Sequence, residues 1–152
     1  MRTLARPGDR RALVDRLRKV RPESTPRWGR MSAPQMVCHV ADALRLVTGQ
    51  KRASRAPGLH ERTVLKWFVL YAPLRWPPGI LTSPELDPEC GGTSPSEFPA
   101  DVSHVEALLE LVAIAPEGLD QRVHPVFGRM SHAAWLRWAW LHTDHHLRQF
   151  GA

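Results

Sequence analysis

Leu141-His142-Thr143-Asp144-His145-His146-Leu147-Arg148-Gln149-Phe150 closes a segment that reads as one helix from Ser131 to about Gln149, and the assembly of the chain turns on it. Three of the eight histidines lie between positions 142 and 146. Residues three or four apart share a helix face, with Cβ atoms about 5–6 Å apart. That spacing lets two imidazoles hold one divalent ion at roughly 2.0–2.1 Å. Two ligands rarely make a tight site, so a third is required, and His39 in the helix that starts at Ser32 is the candidate. The competing reading makes these histidines surface groups facing the negative end of the helix macrodipole. The first reading carries a fold with it. At 1.5 Å per residue, His39 lies roughly 10 Å from the start of its helix, and His142 and His146 lie about 10 and 5 Å from the end of theirs. Antiparallel helices bring the imidazoles level, whereas parallel ones leave them offset by roughly 6–12 Å.

Working outward, Ser32 and Gln35 form a capping-box pair, with Pro34 in the first turn where its missing N–H is harmless. Met36, His39, Val40, Ala43 and Val47 share a face, and Gly49 ends the helix. Upstream, Asp9 to Val20 places Leu13, Leu17 and Val20 on one side and Arg10, Arg11, Arg16 and Arg18 around the rest, an amphipathic helix with a basic solvent side. Lys51 to Gly58 is a basic loop, and Glu61 to Ala72 a short apolar helix stopped by Pro73, Pro77 and Pro78. Leu81 to Pro99 is a long connection without a period, of the kind that covers a site or crosses the fold. A further helix from about Ala100 to Ala115 carries Val105, Leu108, Leu109 and Val112 as its stripe. Trp28-Gly29-Arg30-Met31-Ser32 echoes Phe127-Gly128-Arg129-Met130-Ser131, a shared way of entering a helix through an aromatic-Gly turn and a Ser N-cap. Strand signals are nearly absent. Four main helices and one long connection predict an all-α single domain over 1–152, a four-helix bundle with a crossover.

The net charge is +6 and the pI about 10.3, but the arginines are spread along the chain rather than bunched. Cys38 and Cys90 make no disulfide framework, residues Met1 to Arg11 hold no apolar signal region, and the apolar run Trp67 to Leu74 is too short to span a bilayer. A cytoplasmic protein is expected.

Ser32-Ala33-Pro34-Gln35-Met36-Val37-Cys38-His39, taken with His142-x-x-x-His146-Leu147-Arg148-Gln149, resembles the DinB-like superfamily of small helical metalloproteins. Trp28-Gly29-Arg30-Met31, His124-Pro125-Val126-Phe127-Gly128 and the final His142 to Phe150 stretch are similar to a family of unknown function within it. The resemblance covers about Asp9 to Phe150. It implies an up-down-down-up bundle and a divalent metal, zinc or nickel, held by His39, His142 and His146. It also chooses between His145 and His146: geometry places His145 about 60° and His146 about 40° from His142, and the resemblance favours ligands four apart. Many members carry Arg-Gly-Gln where this chain has Leu147-Arg148-Gln149.

Other residues are read as support. Asp42, one turn past His39, either orients an imidazole or faces solvent. His145 lies beside the site, His124 caps or lines the pocket, and Asp144 points away. Cys38 is core, Cys90 is incidental, and Trp135 and Trp138 are core. There is no His-Glu-x-x-His motif, phosphate-binding Gly loop or defensible Ser-His-Asp grouping. Two function classes follow. One is a metal-dependent transferase or isomerase acting on a small-molecule substrate with a low-molecular-weight thiol, as the superfamily's enzymes imply. The other is a non-catalytic binding protein whose basic surface contacts nucleic acid. A small-molecule partner is favoured over nucleic acid, no membrane partner is expected, and a homodimer is allowed.

Overall fold

The computed structural model describes residues 1–54, 63–72, 76–77, 83–114 and 118–152, with the backbone alone at 63–65. Its elements are mostly helical: α1 (Pro7–Leu17), α2 (Ala33–Thr48), α3 (Thr63–Tyr71), α4 (Phe98–Ala113) and α5 (His132–Gln149), joined by 3-10 turns at Pro84–Leu86 and Leu119–Gln121. The one β-feature among the described residues is a two-stranded antiparallel hairpin, β1 (Val123–His124) with β2 (Gly128–Arg129). Parts of the sequence reading, Arg55 to Gly58, the start of the third helix at Glu61, Pro73, Pro78 and the start of the connection at Leu81, lie outside the described residues.

Local chemistry sets the boundaries. Ser32 caps α2 with a complete capping box, its Oγ accepting from the Gln35 N–H while the Gln35 side chain accepts from the Ser32 N–H. Gly49 ends that helix at φ 77°, a conformation that costs glycine least. Ser131 caps α5 by accepting from the Ala134 N–H. The echoed entries share a geometry, since Gly29 and Gly128 both take positive φ (80° and 66°) before a Ser cap. α1 begins two residues earlier than its apolar spacing suggests because Pro7 fits the first turn. It stops at Leu17, while Val20 remains buried beyond its end.

α2 is the central element, buried along most of its length from Ala33 to Val47, and it packs most extensively on α4. The expected α4 stripe Val105, Leu108, Leu109 and Val112 is buried. Of the arginines read as a basic solvent side, Arg11 is exposed, while Arg10, Arg16 and Arg18, the last just past α1, also tie helices together. Arg10 pairs with Glu110 (3.1 Å), Arg18 with Glu106 (2.8 Å) and Arg16 with Asp144 (2.6 Å). α1 also meets α5 at its other end, where Trp140 Nε1–H donates to the Asp9 carbonyl and the Leu4 N–H to the Leu136 carbonyl.

Asp42 departs from both expectations held for it. It neither faces solvent nor touches an imidazole. Its side chain is wholly buried and accepts from Arg45 Nη1, Lys51 Nζ, the Thr93 N–H and the Thr93 hydroxyl. Burial alone would raise its pKa; the hydrogen bonds from Lys51, Thr93 and Arg45 outweigh that and hold it below the usual carboxylate value. Asp42 thus clamps the connection before α4 onto α2. Within that connection the Pro84–Leu86 turn buries Leu86 against the core.

Candidate metal centre

The surface reading of the terminal histidines is overturned. His145 and His146 are buried, as is His39, and His142 is the most open of the four. His39 from α2 meets His142 and His146 from α5, with ring centroids 5.0, 4.7 and 4.7 Å apart around the triangle. One ligand atom from each lies within 4.8 Å of the other two, close enough to hold a metal ion.

The meeting depends on how the chain enters α2. Arg27 N–H donates to the Gln149 carbonyl (2.7 Å), and Gln149 Nε2–H donates to the Trp28 carbonyl (2.7 Å), so the end of α5 sits beside the start of α2. That is the opposed arrangement the histidine heights require. Gly29 leaves room for it: a Cβ there would stand 2.8 Å from Gln149 Nε2.

Hydrogen bonds on the outer nitrogens orient two of the rings. His39 Nδ1–H donates to the Leu86 carbonyl at 2.7 Å, and His146 Nδ1–H donates to Gln149 Oε1 at 2.9 Å. A neutral imidazole carries one N–H, so both Nε2 lone pairs are left to face inward. His39 Nε2 and His142 Nε2 stand 3.3 Å apart. Two nitrogens bound to one zinc at roughly 2.0–2.1 Å and a tetrahedral angle stand about 3.3–3.4 Å apart. The donor set therefore fits a divalent ion without rearrangement of this pair. Burial, and then the neighbouring imidazoles, push the pKa of His142 and of His146 well below the ordinary value. Burial lowers that of His39, with the Leu86 carbonyl partly opposing. The three are thus held neutral, the form that ligates.

His145 shares the helix face but joins a different group. Its ring packs on Trp28 (5.6 Å), Trp76 (6.1 Å) and His146 (5.1 Å), and burial drops its pKa to about 4. His124 caps its own turn, Nδ1 accepting from the N–H groups of Val126 (3.1 Å) and Phe127 (3.2 Å). Asp144 faces away, paired with Arg16 and Arg148. Cys38 is buried, and burial followed by the charge of Asp101 raises its thiol to about 11; Cys90 is exposed. Trp135 is core, whereas Trp138 also reaches the site, stacking on His142 at 5.0 Å.

A cavity of roughly 540 Å³ opens in front of the imidazoles, walled by Trp28, Phe68, Trp76, Val126, Phe127 and Trp138. Asp87 and Glu89 of the long connection also line it, so that segment does border the site. Sequence reasoning missed the Leu86 and Trp28 carbonyls, which carry no side-chain signal. Trp28-Gly29, read there as a helix entry and as part of the resemblance, also receives Gln149.

No curated protein and no solved structure matches this chain. Residues 6–152 match the family described as "Protein of unknown function (DUF1569)", and the chain belongs to that family.

Proposed function

We propose that this protein binds a divalent metal ion, zinc or nickel, through His39, His142 and His146, and that it is a DinB-like four-helix bundle built from α1, α2, α4 and α5. The observation that carries the metal reading is the convergence of three imidazoles, two of them turned inward by hydrogen bonds on their outer nitrogens. The order of contacts supports an up-down-down-up arrangement. Leu4 with Leu136 and Arg16 with Asp144 rise together, whereas Arg10 with Glu110 and Arg18 with Glu106 run in opposite order. Cys38 with Asp101 and Arg45 with His104 again rise together.

Three protein ligands and a neighbouring cavity suit a catalytic rather than a structural ion. The proposed reaction class is transfer or isomerisation with a low-molecular-weight thiol; an ion held by His39, His142 and His146 would supply Lewis acidity that lowers the thiol pKa and favours the nucleophilic thiolate. The residues around it do the rest: Leu86 and Gln149 keep the ligands oriented, and the aromatic wall excludes water from the electrophile.

Elemental analysis of protein purified without a His tag, followed by zinc and nickel titration of the metal-free chain, tests the metal. About one equivalent is expected. His39→Ala, His142→Ala and His146→Ala should each weaken binding by more than the roughly 10–100-fold typical of losing an outer partner, and His145→Ala far less. Equal loss from His145→Ala and His146→Ala would refute the ligand set. A screen of mycothiol, bacillithiol and glutathione with electrophiles on metal-loaded protein tests the chemistry; neither thiol binding nor turnover would remove it.

A further inference from the structure

His124 lines the same cavity but takes no part in the metal reading. Its Nδ1 already accepts two backbone N–H groups, so in the neutral ring the proton resides on Nε2. That tautomer also bars Nε2 from ligating a metal. The residue is 4% exposed, and Nε2–H is buried without a hydrogen-bond partner among the described residues. Burial pushes its pKa down to about 3, so the ring stays a neutral donor at physiological pH. A buried donor without a partner is costly in a folded protein. The residue itself lines a cavity large enough for a small molecule, with Val126, Phe127 and Trp138 beside it, and Nε2 is buried within that wall. The His124 and His142 rings pack on the same indole, Trp138, edge-on at 4.6 Å and stacked at 5.0 Å.

We propose that His124 Nε2–H is the anchoring donor for an oxygen acceptor, such as a carbonyl, on a mainly apolar small molecule bound in this cavity. The acceptor oxygen then lies one indole away from the three-histidine cluster, and the apolar remainder of the molecule contacts the aromatic wall. The inference shares its cavity with the metal reading but does not need the ion, so the two fail separately.

The test compares two probes of nearly equal shape, acetophenone and ethylbenzene, on metal-free and metal-loaded protein. Equilibrium dialysis should show the ketone bound about five- to tenfold more tightly than the hydrocarbon, the effect of one satisfied hydrogen bond. His124→Asn keeps an acceptor near the position of Nδ1 for the turn and removes the donor at Nε2; it should erase that preference while its helical circular dichroism is unchanged. In wild-type protein, the ¹⁵Nε2 resonance of His124 should shift with acetophenone and stay in place with ethylbenzene, a readout that does not depend on the variant folding. Equal affinity for the two probes, no binding of either, a preference that survives in His124→Asn, or a resonance unmoved by the ketone would each overturn the proposal. If the ketone preference appears and metal titration fails, the donor role stands and the metal reading falls.

Discussion

Gln149 holds two partners at once: its Oε1 accepts from His146 and its Nε2–H donates to the Trp28 carbonyl. Gln149→Leu preserves the bulk of the side chain and removes both contacts. Zinc affinity, measured by chelator competition, is expected to fall about 10–100-fold, with helix content unchanged; an unaltered affinity would show that packing alone orients His146. His124 makes a different prediction, on pH. Its folded pKa is depressed, so its contribution to stability is fully present above the unfolded value of about 6.5 and is lost as pH falls towards about 3. Between pH 6.5 and 5 this one residue should account for about 2 kcal/mol. The other buried histidines add losses in the same direction. Urea unfolding of wild type and His124→Asn at pH 7.5 and 5.0 should therefore show a shallower pH dependence in the variant; parallel curves would contradict it. Spacing pointed to His39 and His142 as proposed ligands and left His145 and His146 both open, and the family resemblance favoured His146. Their tautomers were not legible, because these depend on carbonyls and amides contributed by distant parts of the chain.

Among the elements, α2 and α5 were readable almost to the residue, because Ser32, Gln35, Gly49 and Ser131 carry cap chemistry that acts locally. The connection before α4 was harder. It has no periodicity, and its placement comes from one buried carboxylate, Asp42, gripping Thr93. Asp42→Ala deletes an acceptor that serves four donors and leaves Arg45 and Lys51 without their buried partner. Stability should drop by about 2–4 kcal/mol, read from urea unfolding at pH 7. Metal affinity should fall as well, since a loosened connection carries the Leu86 carbonyl away from His39. A loss of stability with no change in affinity would separate the clamp from the site.

For the molecule as a whole, binding to the folded state alone ties metal to stability by mass action: a free ion at 100 times its dissociation constant adds about 2.7 kcal/mol. Chelation should lower the melting temperature while far-ultraviolet circular dichroism at 25 °C stays helical, because the apolar core around Met36, Leu44, Leu109 and Trp135 needs no ion. Complete unfolding on chelation would reverse that balance. The charge of +6 also reads differently in three dimensions, with Arg10, Arg16 and Arg18 spent on interhelix ion pairs. Short DNA and RNA duplexes are accordingly expected to bind only at low salt, with a shallow salt dependence; tight binding at 0.15 M salt would favour a nucleic-acid partner.

The sequence alone determined the helical class, the caps and the histidine spacing, because each depends on interactions within one or two turns. It could not choose between His145 and His146 by angle, nor tell whether Asp42 faced water. The resemblance favoured His146, and the tertiary structure clusters His146 with His39 and His142 and buries Asp42. The entry of α2 beside the end of α5 brings Trp28 and Gln149 together, the Asp42 clamp brings Leu86 to His39, and both are contacts between residues far apart in the chain. Local periodicity reports which face of a helix is apolar; which partner meets that face is set by packing across the whole domain.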